Sequence, residues 1–196
     1  MPRISEAARQ ARRTQILDAA RACFLERGFH QTSMDDILTR AKLSAGGAYR
    51  YFSGKDEIIA AIAHENVSSL TAAIDAMAVP EPPPTLAETI PRLVELADQM
   101  ADGPGKLALM VWGEAQTDPT IAALIQTEAP RVRAAVQELV RRANPEPVAS
   151  GKVTVENLGN IIASLVPGYI LQRRILGGVD PDTYAATIVA LLTPAD

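Results

Sequence analysis

Between Thr32 and Lys55 the chain reads TSMDDILTRAKLSAGGAYRYFSGK. Its hydroxyls, glycines and cations suit the holding of an anionic polymer better than the breaking of a bond. Arg50 can fork onto a guanine edge or a phosphate, and Tyr49 can donate its hydroxyl to a phosphate. Lys55 stands in the first turn of an expected helix, where a cation opposes the helix dipole. A phosphate between that ammonium and the helix amides removes the conflict, although Asp56 and Glu57 can also offset a solvated Lys. Catalytic patterns are missing: there is no HExxH, no G-x-S-x-G and no phosphate-cradling glycine loop. The two histidines, His30 and His64, are far apart, and neither has a second His or Cys at metal-ligand spacing. An enzyme, a metal and a cofactor are all unexpected.

The elements that must position these residues read as helices, and the fold class is all-α. Apolar residues recur mostly at helical spacing, with no convincing alternating run for a strand. After an unstructured stretch at 1–8, a first helix is expected from Arg9 to Arg27. Ile16, Leu17, Ala20, Cys23 and Phe24 share one face, and Gly28 ends it. Cys23 belongs to that stripe and reads as a core thiol. Thr32 or Ser33 caps a second helix, each with an Asp three residues on. Leu43 plugs the turn after it, and Ser44 caps a third helix reaching about Tyr51. Tyr51 and Phe52 anchor that helix while Tyr49 and Arg50 point outward. Gly46 and Gly47 each cost about 1 kcal/mol inside a helix, which close backbone approach to another surface would explain. Ser53, with Asp56, caps a fourth helix running to about Met77. Two short helices around a tight turn fit a helix-turn-helix, whose second helix enters the DNA major groove.

Charge divides the chain in the same place. Residues 1–55 carry ten Lys or Arg against five acids, +5, and the remainder nine against eighteen, −9, within a net charge of −4. A basic head on an acidic body suits a polyanionic partner. The only cysteine excludes an internal disulfide. No secretory h-region is present, and the apolar run at 161–171 is too short to span a bilayer. A cytoplasmic protein with no membrane partner is expected.

From Ile16 to about Ile59 the sequence resembles the DNA-binding domain of the TetR family of transcriptional repressors. The resemblance rests on Ile16 to Ala20, Phe24, Gly28-Phe29, Thr32 to Ile37, Ala41, Ser44, Gly46, Tyr49, Tyr51-Phe52 and Lys55. It implies about nine helices, a homodimer and a palindromic double-stranded operator. It places Thr32 or Ser33, Ser44, Tyr49, Arg50 and Lys55 at DNA, with Ala45, Gly46 and Gly47 on the same recognition element. Lys42 stands where the family commonly has Gly. Ala45 and Gly47 stand where many members carry longer polar side chains, so Arg50 is expected to carry more of the specificity. The expected domains are a DNA-binding head at 1–54 and a helical ligand-binding and dimerisation body at 55–196.

In the body, a PEPPP link at 80–84 precedes a fifth helix capped by Thr85 or Thr89. A sixth helix is expected from Lys106 to about Thr117, and a seventh opens at Asp118-Pro119 and reaches about Arg142. An eighth runs from about Thr154 to Leu176, and a ninth follows Asp180-Pro181. The last two helices suit a four-helix interface with a second copy, the alternative being an ordinary intrachain core. The resemblance implies a small-molecule pocket in the body. His64, Met77, Met100, Met110, Trp112, Gln116 and Tyr169 are the residues suited to line or orient it, with an apolar or amphipathic effector of unknown identity. The competing expectation is a dimeric DNA-binding module with no small-molecule ligand, controlled by abundance or a protein partner.

Overall fold

The computed structural model describes residues 5–192, apart from the side chain of Ala45, and among them there are ten α-helices and no strand. The helices are α1 (Glu6–Arg27), α2 (Met34–Arg40), α3 (Ala45–Ala48), α4 (Lys55–Ala78) and α5 (Leu86–Met100). They continue as α6 (Pro104–Glu114), α7 (Pro119–Ala143), α8 (Glu146–Ala149), α9 (Val155–Leu171) and α10 (Pro181–Leu192). A π-helical turn, Gln172–Leu176, extends α9.

Helix α1 begins earlier than the sequence suggests. The Ser5 hydroxyl accepts from the Ala8 amide as the N-cap, so residues 6–8 of the stretch expected to be unstructured are helical; its residues 1–4 lie outside the described residues. Ser33, not Thr32, caps α2 in a reciprocal box with Asp36. Helix α4 starts at Lys55 after Gly54, and Ser53 pairs with Glu57 rather than Asp56: its amide and hydroxyl donate to that carboxylate at 2.6 and 2.8 Å. Thr85 caps α5 through Glu88, Asp118 caps α7, and Thr154 caps α9. Each cap satisfies an amide that the first helical turn leaves without a partner.

Two apolar cores form. In the first, Ile16, Leu17, Ala20, Cys23 and Phe24 of α1 meet Ile37 and Leu38 of α2, Phe52, and Ile58, Ile59 and Ile62 of α4. Phe24 and Phe29 pack with ring centroids 4.7 Å apart. Leu107 and Val111 of α6 and Ile121 of α7 close this core from the body side. The second gathers Ile74, Ile90, Leu93, Val94, Leu139, Val140, Leu158, Ile162 and Tyr169 from α4, α5, α7 and α9. Helix α4 packs along α7, α7 against α9, and α5 against both α9 and α10. At Gly159 of α9 a Cβ would lie 2.7 Å from Cγ and 3.3 Å from Cα of Gln137, so the α7–α9 approach requires a residue without one.

Four polar ties fasten the first core to the rest. Glu65 of α4 accepts from Arg13 and Arg21 of α1 at 2.6 and 2.5 Å. Lys106 of α6 donates to the Leu25 carbonyl at 2.8 Å, and His30 lies 2.8 Å from Glu114 at the other end of α6. His64 of α4 meets Glu128 of α7 at 2.8 Å, with Arg131 on the other carboxylate oxygen at 2.7 Å. Burial pushes the Glu65 and Glu128 carboxyls up, but the hydrogen bonds they accept, from Arg21 and Arg13 and from His64 and Arg131, overcome it and leave both below the ordinary glutamate value.

Candidate nucleic-acid interface

The segment from Ser33 to Lys55 sits on the first core with one side facing solvent. Phe52 and Ala48 are buried, Tyr51 and Leu43 pack partly against the core, and Tyr49 is 52% exposed beside an exposed Arg50. The alternation follows from helical geometry, which sends neighbours in different directions. The third helix is shorter than expected, a single turn at Ala45–Ala48, and residues 49–51 continue as turn. Two consecutive glycines contribute no side-chain packing to extend it. A Cβ at Gly46 would meet nothing within 4 Å, and one at Gly47 would make ordinary contact with Ser44. Intrachain crowding therefore does not demand either glycine, and both leave exposed backbone.

Lys42, between α2 and α3, has φ 55. It takes the left-handed conformation that costs a non-glycine residue about 1–2 kcal/mol. The Leu43 amide then donates to the Leu38 carbonyl at 3.0 Å, closing the end of α2. Gln15 of α1 supports the turn by donating its amide to the Ala41 carbonyl at 2.7 Å.

Two sequence expectations need correction. Thr32 does not present its hydroxyl outward: it is 1% exposed and donates to the Gly28 carbonyl at 2.7 Å. Lys55 does not wait for a phosphate to relieve its position. Its ammonium donates to the Phe29 and Thr32 carbonyls at 2.7 and 3.2 Å, pinning the α1–α2 loop to the start of α4. Ser33, Ser44, Gly46, Gly47, Tyr49 and Arg50 are exposed; Ala45 lies between them in α3.

Most of the basic excess of the head is used internally. Arg13 and Arg21 hold Glu65, Arg27 holds Asp36, Arg40 holds Glu26, and Arg12 donates to Gln15. Among the described residues of the head, the cations left without a side-chain or carbonyl partner are Arg9, Lys42 and Arg50. Hydrogen bonds from Ser33, with Arg27 beside it, hold the Asp36 carboxyl below the usual carboxylate range. Free charge is thus concentrated at α1, the turn and the recognition element.

Residues 16–62 match the model of the bacterial regulatory proteins of the tetR family. That stretch is similar to the DNA-binding domain of the tetR family. It is 36% identical over 72 residues to the HTH-type transcriptional repressor Rv1474c of Mycobacterium tuberculosis, a match covering 37% of this chain and 38% of that protein. A similar match, 38% over 66 residues, links it to the transcriptional activator FasR of Mycolicibacterium smegmatis, covering 34% of this chain and 30% of the other. The matched part of the chain thus spans about a third of the length of these relatives. The regulator UidR of Escherichia coli K12 is 26% identical over 164 residues, 82% of this chain and 81% of its own. Salmonella enterica GusR shares the fold with a TM-score of 0.71 and 22% identity, covering 97% of this chain and 99% of the other. Rv1474c, FasR and UidR all bear the names of HTH-type transcriptional regulators.

The residues expected around a TetR-family effector are scattered. Only Tyr169 lines the cavity between α5 and α9, about 10 Å³ enclosed by Ile90, Leu93, Val94, Ala97, Leu165 and Val166. Met110 packs at the edge of the first core and Met77 at the edge of the second, while Met100 is half-buried at the end of α5. Trp112 is 44% exposed, Gln116 is exposed, and His64 is committed to Glu128. Tyr169 donates to Asp98 at 2.6 Å, and Arg173 donates to the same oxygen at 2.7 Å. Burial and the adjoining carboxylate push the Tyr169 hydroxyl up to about 12. Sequence reasoning missed Gln15, Glu65 and Asp98, whose partners lie 26 to 75 residues away and leave no local spacing signal.

Proposed function

We propose that this chain is a transcriptional repressor that binds a palindromic double-stranded operator as a homodimer, with its head at 1–54 and its body at 55–196. Tyr49 and Arg50 carry the reading. They are exposed and without ionic partners on the element after the turn, above a buried Phe52 that fixes their direction. Ser33, Ser44, Ala45, Gly46 and Gly47 complete the surface, and its small side chains let backbone approach a phosphate closely. Lys55 holds the loop that presents Ser33, and its third ammonium proton is available to DNA. Arg50 is the principal base reader.

A second copy fits the far end of the body. Ile161, Ser164, Gly168, Leu171 and Ile175 follow one another in steps of three and four along α9 and its π-helical extension. Ile161 is 60% and Ile175 68% exposed, and Leu191 of α10 is also open. Such a stripe leaves apolar surface that a symmetry mate removes from water, with small residues permitting close helix approach. The protein acts in the cytoplasm.

An apolar or amphipathic effector is the proposed release signal. By favouring another placement of α6 it would move α4 through the shared core and alter the separation of the two heads. Half-sites about 34–36 Å apart tolerate little change. The cavity of about 10 Å³ favours a second reading, a dimeric regulator without a small-molecule ligand and controlled by abundance or a protein partner. Selection of bound fragments from random duplex DNA, followed by a screen for molecules that release them, tests both. A two-fold symmetric consensus supports the operator reading, and absence of any enriched sequence rejects it. A releasing molecule supports the sensor, whereas equal operator affinity with every bound molecule supports the second reading.

A further inference from the structure

An open groove of about 570 Å³ runs between α1 and the turn after α2, lined by Thr14, Gln15, Asp18, Arg40 and Lys42 among others. Its charges do not cancel. Asp18 is paired with Arg21 at 2.8 Å and Arg40 with Glu26 at 2.7 Å, whereas Lys42 is exposed and has no partner among the described residues. Lys42 also holds the unfavourable φ of 55 that glycine would adopt freely. Gln15 bridges the two walls: its amide donates to the Ala41 carbonyl at 2.7 Å while its oxygen accepts from Arg12 at 2.9 Å. Lys42 lines the groove from the turn without a partner, and Arg12, which does not line it, is held beside it through its hydrogen bond to Gln15.

We propose that this groove is a second phosphate seat for duplex DNA, formed by Lys42 on its wall and by Arg12 beside it on Gln15, outside the recognition element. It rests on the DNA-binding reading above. The DNA backbone is the occupant that this chemistry suits: a polyanion able to meet two exposed cations without any base-specific donor or acceptor pattern. A left-handed lysine at the turn then makes physical sense, because the side chain that a glycine would lack is the one meeting the phosphate. The local alternative is that Lys42 only complements the negative end of the α2 dipole.

The test is duplex binding by the full chain across a salt series, with thermal unfolding measured alongside. Lys42→Asn keeps a residue tolerant of the left-handed conformation and removes the charge; Lys42→Arg keeps the charge. Lys42→Asn should lower the slope of log K against log salt by about 0.9, so its deficit widens about 3.5-fold between roughly 200 and 50 mM salt. Its unfolding midpoint should hold. Lys42→Gly should bind like Lys42→Asn and unfold at the same or a higher temperature, whereas Lys42→Arg should keep the wild-type slope. Arg12→Gln should remove a further ~0.9 when combined with Lys42→Asn. A Lys42→Asn protein with the wild-type slope overturns the proposal, and more so if its midpoint falls, which assigns Lys42 to the α2 dipole. An Arg12→Gln protein with an unchanged slope overturns the two-cation seat. If the wild type binds no duplex even at low salt, the regulator reading itself fails; if Arg50→Ala weakens binding while the Lys42 and Arg12 variants do not, only the groove is rejected.

Discussion

The head and the far end of the body bury comparable cores but leave opposite surfaces. In the head, the apolar stripe of α1 is closed off by α2, α4, α6 and α7, and the exposed surface includes Tyr49 and the unpaired cations Arg50, Lys42 and Arg9. In the body most cations are paired, as in Arg173 with Asp98 and Arg142 with Glu81, while Ile161, Leu171, Ile175, Leu176 and Leu191 stay open. The surplus on each surface describes its missing partner: unpaired cations call for an anion, and unpaired apolar side chains call for more apolar surface. Composition averaged over the chain conceals this, since a net charge of −4 points away from nucleic acid.

The contrast can be broken at either end. The largest effect is expected from Ile161→Glu combined with Ile175→Glu, which places two carboxylates on the proposed copy-to-copy face. The mass in solution should fall to that of a single chain and operator affinity should drop more than about 100-fold, since two linked heads bind far more tightly than one. An unchanged mass would reassign that face. Next, Arg50→Ala should weaken operator binding by about 10–100-fold, the range of one bidentate base contact, and flatten preference at one base pair without moving the unfolding midpoint. Lys55→Met should behave in the opposite way. Losing the charged donor to the Phe29 and Thr32 carbonyls should destabilise the fold by about 2 kcal/mol, visible in denaturant unfolding without DNA. The smallest effect is a pH dependence. Glu65 has a folded pKa below its ordinary 4.5, so the stability it contributes is fully present above about 4.5 and is lost as pH falls through the lowered value. Glu65→Gln should flatten the acid side of the stability curve by a small amount, because the Arg13 and Arg21 pairs are partly exposed.

The contrast also marks how far local reading reaches. The α1 stripe, the Ser33–Asp36 box, the Tyr51-Phe52 anchor and the cap at Asp118 depend on residues within a few positions of one another, and periodicity reveals them. Thr32 and Ser33 were equivalent as caps until the fold brought the Gly28 carbonyl to the Thr32 hydroxyl. Lys55 reads as an exposed cation against a helix dipole because its two acceptors lie 26 and 23 residues earlier. The double glycine gave no sign that α3 would stop after one turn. The effector candidates share adaptable or polar side chains, properties that carry no information about position, and the fold disperses them. The ties made by Lys106, Glu65 and Glu128 had no local signature.

Helix α4 has 24 residues and so extends about 36 Å, with Ile58, Ile59 and Ile62 rooted in one core and Ile74 and Ala78 in the other. A rod of that length magnifies rotation. A tilt of about 5° at its distal end carries the other end ~3 Å sideways, and in a two-fold pair the opposed displacements change the distance between heads by ~6 Å. That is close to two base-pair steps of about 3.4 Å each. A tilt of that size would put the two heads of the proposed dimer out of phase with a duplex.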